Sequence, residues 1–362
     1  MHFVTMENST GWQTSPLFSD YYLEPEERNV CINWTLHGNL QLQYEVTMKE
    51  IILDCILRLH DIIYNLDFDL IKWLIWLFTP IIVMFVLPVV IVVFLYGCAV
   101  FCHIYKSRHR LVDAYSRGFW DGARDSISTF WEAQASIWHG YEIIGLEKIP
   151  DEGPAVLIYY HGAIPIDAYY VIAKLVLYKR RMPHCIGDKF LFKVPGLKLL
   201  LQVVCVTPGS VEECVKVLKN DNIIILSPGG VREAQFSDEY YEIMWNNRCG
   251  FAKCAIEAKA PIIPLFTQNC REAFRTLSIG RRFFQKVYEK IRFPCAPIYG
   301  GFPVKMRTFV GDPIQYDPNL TPQQLAKKAE AALKEMIATH QKIPGNVFRA
   351  LTERFSFKWK KQ

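Results

Sequence analysis

Residues 155–167 read Ala-Val-Leu-Ile-Tyr-Tyr-His-Gly-Ala-Ile-Pro-Ile-Asp. An apolar and aromatic run of this length, with no polar alternation, describes a strand buried on both faces, the habit of a sheet covered by helices. The run stops at His161-Gly162, and the carboxyl end of a strand is where open α/β sheets bind their ligands. Asp167 follows six positions on. If the turn opens a helix, its carboxylate can reach one imidazole nitrogen, fix the tautomer and leave the other nitrogen as a base. Spacing alone leaves a second reading on equal terms, a structural histidine satisfied by one partner.

Around this strand the pattern repeats. Apolar runs at 203–206, 223–227, 262–266 and 304–310 alternate with helical periodicity at 211–219, 251–259 and 322–341, the last opening on Thr321 as N-cap and Pro322 at the first helical position. The alternation predicts an α/β fold, a mixed sheet with flanking helices, from about residue 141 onward. A second strand end reads Ile-Ile-Ile-Leu-Ser-Pro-Gly-Gly-Val-Arg-Glu-Ala (223–234). Gly229 and Gly230 can leave backbone amides open to an anion, with Arg232 and Glu233 directly behind. A plain glycine turn is the alternative.

Upstream, the 33 residues between Lys72 and Lys106 contain no Asp, Glu, Lys or Arg. That is membrane composition, and a run this long is not the core helix of a soluble protein. As one straight helix it measures ~50 Å, against a hydrocarbon core of ~30 Å. Pro80 and Pro88 interrupt it, so an N-terminal membrane-embedded helical hairpin is expected over 71–105, with one tilted span as the rival. An amphipathic helix is expected at 47–70, and Lys106, Arg108, His109 and Arg110 form a basic collar that places the following domain in the cytosol. The sequons at Asn8 and Asn33 distinguish the two topologies, because a single span puts them in the lumen and a hairpin leaves them in the cytosol.

Charge divides the chain in the same place. Residues 1–70 hold three Lys/Arg against eleven Asp/Glu, and the remainder 38 against 25, within a total of +5 over 362 residues. The further boundaries expected are an acidic region at 1–46, a basic and helical connector at 106–140, the α/β domain at 141–345 and a basic tail at 346–362. Eleven cysteines, without CxxC or Cys/His zinc spacing, predict neither a disulfide frame nor a metal site. No GxSxG, GxxxxGK[ST], HExxH or strand-following GxGxxG is present, which removes the main support for serine hydrolase, P-loop, zincin and Rossmann chemistry. Nothing resembles a nucleic-acid module.

Glu147, Ile149-Pro150, Gly153-Pro154, the strand into His161 and Asp167, the Lys189 to Pro195-Gly196 segment, Ser227-Pro-Gly-Gly-Val-Arg and Pro261-Ile-Ile-Pro264 stand in an order that resembles the glycerolipid acyltransferase superfamily over residues 141–311. The resemblance implies that His161 deprotonates the acceptor hydroxyl, that Asp167 orients it, and that Gly229, Gly230, Arg232 and Glu233 bind substrate. It implies fatty acyl-CoA as co-substrate, with no bound cofactor or metal, and membrane lipids as partners.

Five residues separate His161 from Asp167 where the family usually has four, so the helix should begin later. The family's Phe-Pro-Glu-Gly-Thr-Arg block reads Ser227-Pro228-Gly229-Gly230-Val231-Arg232, with a glutamate displaced to 233. Val206 to Gly209 lacks the arginine of phosphate-using members. Losing one cationic contact disfavours a dianionic phosphate. The expected activity is therefore acyl transfer from acyl-CoA to a neutral glycerolipid, diacylglycerol or monoacylglycerol, giving triacylglycerol at the endoplasmic reticulum membrane. A lysophospholipid acyltransferase using Arg232 is the alternative. A non-catalytic membrane scaffold, for which the longer His/Asp gap argues, is the rival of another class.

Overall fold

The computed structural model describes residues 51, 53–58, 61, 69–108 and 118–355, which fall into two units divided between Leu74 and Ile75. The acidic region 1–46, both sequons, His109, Arg110 and residues 356–362 lie outside the described residues. Of the stretch expected as an amphipathic helix, residues 51, 53–58 and 61 are helical, with Arg58 pairing to Asp54 at 2.9 Å.

The apolar segment is one continuous helix, α1 (Asp69–Arg108), with Pro80 and Pro88 inside it. The expected hairpin is not formed. Each proline removes one backbone hydrogen bond, whereas reversing the chain would strand several N–H and C=O groups in a stretch that offers few polar side chains to receive them. The Thr79 hydroxyl donates to the Ile75 carbonyl at 2.5 Å, beside the break at Pro80. Forty residues make a helix ~60 Å long, and its two halves divide the length. Residues 73–83 are exposed on every side. Further on, Ile91, Cys98, Ala99 and Cys102 are buried within the second unit, and the Tyr96 hydroxyl donates to the Pro195 carbonyl at 3.0 Å.

The second unit continues with α2 (Asp121–Gln134), β1 (Glu142–Ile144), β2 (Ala155–Tyr159), α3 (Ile166–Lys179), β3 (His184–Gly187), α4 (Lys198–Val203), β4 (Val206–Pro208), α5 (Val211–Lys219) and β5 (Ile223–Leu226). Then come α6 (Gly230–Phe236), α7 (Gly250–Ala258), β6 (Ile262–Gln268), α8 (Cys270–Ala273), β7 (Phe274–Thr276), α9 (Arg281–Ile291), β8 (Ile298–Gly300), β9 (Arg307–Val310), α10 (Pro322–His340) and α11 (Val347–Phe355). The main sheet has the order β1-β9-β6-β2-β5-β3-β4, and β7 with β8 forms a separate ribbon. β6, β2, β5, β3 and β4 are parallel, while β9 runs antiparallel to β6 and carries β1 beside it. This is the mixed, helix-flanked α/β sheet that the sequence predicts.

The central strand explains the core. Val156 and Ile158 point into the larger cluster with Ala252 and Ala255 of α7 and Ala329 and Leu333 of α10. Ala155 and Leu157 enter the smaller one with Val171 and Leu175 of α3. Burying each Val, Ile or Leu contributes about 1.5–3 kcal/mol. Thr321 caps α10, its hydroxyl accepting from the Gln324 N–H at 3.3 Å while the Gln324 side chain accepts from the Thr321 N–H at 2.9 Å. The strand expected at 203–206 lies later, at β4, because the Leu-rich stretch before it winds into α4 and Cys205 turns the chain at φ +52°. Two boundaries also move. α2 buries Ile127 and Trp131 in the main core, so this part of the connector packs with the domain. α11 continues the fold past 345, and its Glu353 accepts from the Asn269 side chain at 3.0 Å.

Candidate active site

β2, β5 and β6 end side by side, with Ile158 registered on Leu226 and Tyr159 on Leu265. Their following loops bring His161, the Ser227–Gly230 turn and Arg271 to one edge of the sheet. The strands are straight apolar runs, so where they stop is set by the first residues that cannot be buried unpaired.

His161 is half-buried. Its Nδ1 lies 2.7 Å from the Gly162 carbonyl. A carbonyl only accepts, so Nδ1 carries the proton and Nε2 keeps its lone pair. Burial, with the Arg271 charge acting the same way, lowers the imidazole pKa to about 4 against the opposing Gly162 carbonyl. The Tyr159 ring lies 5.8 Å away. The side chain is therefore a neutral imidazole with an unprotonated Nε2, the state a general base requires.

Asp167 lies in the first turn of α3, 2 % exposed. Helix α3 starts only at Ile166, which absorbs the extra residue of the His/Asp gap. The carboxylate does not meet the imidazole, because Gly162 occupies Nδ1. Burial raises its pKa to about 6, with the Thr267 hydroxyl and the backbone N–H groups of Asp167 and Ala168 holding it down, and Oδ1 has no partner.

The glycine turn differs from expectation. Gly230 has φ +55° and its N–H closes the turn on the Ser227 carbonyl at 3.2 Å, so that amide is not open to an anion. Glu233 is fully buried and faces away from the cavity described below. Its Oε1 accepts from the His161 N–H at 2.9 Å and its Oε2 from the Met244 N–H at 3.0 Å, and burial raises its pKa to about 7 despite both bonds and the nearby Arg271. A Cβ on Gly229 would stand 2.4 Å from the Glu233 carboxyl, so position 229 is bare where the displaced glutamate folds back. Gly230 lines the cavity, whereas Gly229, Arg232 and Glu233 do not.

Two residues to which the sequence motifs assign no place in the active site hold these loops together. Arg271, 1 % exposed, donates to the Tyr160 hydroxyl at 3.0 Å and to the carbonyls of Ala234 at 3.1 Å, His161 at 3.2 Å and Glu233. A buried guanidinium is tolerated only where its donors are satisfied, and here they clamp the β2 loop to α6. The signal was present as an adjacent Arg-Glu pair, 271–272, a few residues after the apolar run 262–266. Arg248 donates to the carbonyls of Pro228 at 3.1 Å and Gly229 at 2.9 Å and also lines the cavity.

That cavity has a volume of about 960 Å³, the upper end of the ~300–1,000 Å³ usual for ligand sites. Trp131, Tyr169, Leu200 and Ile225 give it apolar walls, His161 faces it, and Leu95 of α1 contributes to the lining. Lys189, Lys193 and Arg292 also border it. An apolar chamber with one neutral base and a cationic border suits a substrate with a long hydrocarbon part, a hydroxyl to be deprotonated and an anionic end.

The Acyltransferase family matches residues 140–268. A relative described as "DGAT1/2-independent enzyme synthesizing storage lipids" from Bos taurus is 53% identical over 289 residues, 80% of this chain and 86% of that one. The Gallus gallus protein of the same description is 49% identical over 290 residues, 80% and 87% of the two chains. Among solved structures, the 1-acyl-sn-glycerophosphate acyltransferase PlsC from Thermotoga maritima superposes with TM-score 0.46 at 16% identity, covering 68% of this chain and 95% of that chain. Sequence identity near one half, sustained across more than four-fifths of each relative, means that the chain belongs to the glycerolipid acyltransferase family.

Proposed function

We propose that the protein transfers a fatty acyl group from acyl-CoA to the hydroxyl of a neutral glycerolipid, diacylglycerol or monoacylglycerol. The observation that carries this is His161: Nδ1 is tied to a carbonyl, so Nε2 is an unprotonated base on a large apolar cavity. Nε2 takes the acceptor hydroxyl's proton as the oxygen attacks the thioester carbonyl. The C–O bond forms, the C–S bond breaks, and the departing CoA thiolate receives the proton back from the imidazolium, with no acyl-enzyme required. Asp167 is the positioning residue. Its unpartnered Oδ1 receives the Nδ1–H once substrate is bound, since catalytic hydrogen bonds often align only in the substrate complex.

Lys189, Lys193 and Arg292 serve the phosphates of CoA in this reading. Arg232, the contact a phosphate acceptor would need, does not line the cavity, which favours a neutral acceptor. The relatives' description as storage-lipid enzymes agrees with triacylglycerol as product. α1 anchors the protein, with the acyltransferase domain on the cytosolic side of the endoplasmic reticulum membrane. The cationic border keeps lysophosphatidate as the second acceptor to test. Purified protein given labelled oleoyl-CoA with diacylglycerol, monoacylglycerol or lysophosphatidate should esterify the neutral acceptors faster. Faster use of lysophosphatidate would overturn the acceptor assignment, and equal turnover by His161→Ala would overturn the chemistry.

A further inference from the structure

Helix α9 carries a pattern that acyl transfer does not use. Arg282, Lys286 and Lys290 are spaced four apart, so they form one stripe along the helix, and all three are exposed. Like charges at this spacing destabilise a helix in water, and among the described residues none of the three enters an ion pair. The neighbouring Arg281 is neutralised by Asp238 at 3.1 Å. Large apolar side chains stand out beside the stripe: Ile279 is 76 % exposed, Phe283 65 %, Ile291 54 % and Phe293 50 %. Cations interleaved with protruding aromatic and aliphatic groups on one short helix and at its two ends is the composition of a helix lying in a membrane interface.

Its place in the fold agrees. Ile291, Arg292 and Phe293 border the cavity, and Phe293 meets Phe190 edge-on at 5.7 Å. The strand that follows, β8, is where α1 meets the domain: the Phe85 ring lies 6.2 Å from Tyr299, and Leu87 crowds Gly301. Before Phe85 the apolar helix is exposed on nearly every side. The surface that receives α1 is thus continuous with α9.

We propose that α9 is an in-plane membrane helix, its Arg282, Lys286 and Lys290 stripe docked on a bilayer surface carrying anionic headgroups and Phe283 inserted between them, so that the cavity mouth is held against the lipid. This goes beyond the acyl-transfer reading and does not rest on it, since a catalytically dead protein would dock in the same way. Each cation near an anionic surface is worth about fivefold in binding.

The test uses the full chain in phosphatidylcholine nanodiscs, with and without phosphatidylserine, and Phe283 replaced by the photocrosslinker p-benzoylphenylalanine. Tyr178, exposed at the far end of α3 from the His161 loop, receives the same replacement as the reference position. Lipid labelling at 283 should exceed that at 178 and rise at least about fivefold with phosphatidylserine. It should fall back in Arg282→Gln/Lys286→Gln/Lys290→Gln and persist in Arg282→Lys/Lys286→Arg/Lys290→Arg. Labelling at 283 no higher than at 178 would overturn the proposal. So would labelling indifferent to the glutamine substitutions, including the case in which they raise KM for acyl-CoA and the stripe serves a soluble polyanion.

Discussion

The loops that leave β2 and β5 begin on neighbouring strands in register and end in opposite conditions. The β2 loop turns His161 to the cavity as a half-buried, neutral imidazole. The β5 loop turns its carboxylate inward, so that Glu233 is fully buried and spends both oxygens on backbone N–H groups, one of them His161's own. One loop presents the reactive atom and the other fixes the main chain beneath it. The deepest charges of the site, Glu233 and Arg271, are its framework, whereas the group assigned the chemistry is uncharged.

Removing the presented atom should have the largest effect. A positioned general base contributes typically 10²–10⁴-fold, so His161→Ala should lose that factor in kcat while its thermal midpoint stays near that of the wild type. Asp167→Ala should lower kcat by less, because Gly162 still holds Nδ1. A kcat for His161→Ala within tenfold of the wild type would reverse the comparison, since the β2 loop would then be framework as well.

Arg271→Met attacks the framework. Four donor contacts to buried acceptors disappear, and unsatisfied buried carbonyls cost about 1–3 kcal/mol each before relaxation. A loss of roughly 3 kcal/mol in stability is expected, read by denaturant unfolding, with kcat falling because the His161 carbonyl is released. A stable Arg271→Met protein with full activity would show that the clamp is incidental.

Glu233→Gln is gentler and more selective. An amide keeps one acceptor for the His161 N–H but points a donor at the Met244 N–H, costing about 1–3 kcal/mol. Gly229→Ala makes the same test from the other side, because its Cβ would stand 2.4 Å from the carboxyl. Both should lower kcat more than they raise KM, as expected for a group that positions the base without touching substrate. A rise in KM alone would return Glu233 to the substrate-binding role its position in the sequence suggested.

The strands β2, β5 and β6 were legible because each opens as an apolar run, and α5, α7 and α10 because helical periodicity, with the Thr321 cap on α10, is a local signal. His161 was legible for the same reason: it ends such a run. What was not legible is set by backbone course and by distant contacts. That Gly162 rather than Asp167 occupies Nδ1 and that Glu233 folds back over Gly229 depend on how two short turns bend, which residue type does not encode, and that Arg271 reaches the His161 carbonyl 110 residues away is a consequence of strand register. The hairpin failed as a reading because proline in water breaks a helix, whereas a long apolar segment has few other partners for its backbone.

The smallest predicted effect is also the one that treats the two loops most differently. His161 has its pKa lowered in the folded state to about 4 from an ordinary 6.5, so its contribution to stability is present above pH 6.5 and is lost as the pH falls toward 4. Glu233 is raised to about 7 and Asp167 to about 6, so their contributions are complete below the ordinary carboxylate range and are lost as the pH rises through 6 and 7. Between pH 4 and 7 the histidine therefore opposes the two carboxyls and offsets only part of their loss, so the wild-type thermal midpoint should fall with rising pH, but by less than it does without His161. In His161→Ala only the carboxylates remain, and the midpoint should fall by a few degrees as the pH rises from 5 to 8. In His161→Ala/Glu233→Gln that fall should shrink, because only Asp167 is left to cause it. A midpoint for His161→Ala that rises over the same range would mean that the two carboxyls are not strained by burial, and the contrast between a neutral presented base and a buried charged framework would fail with them.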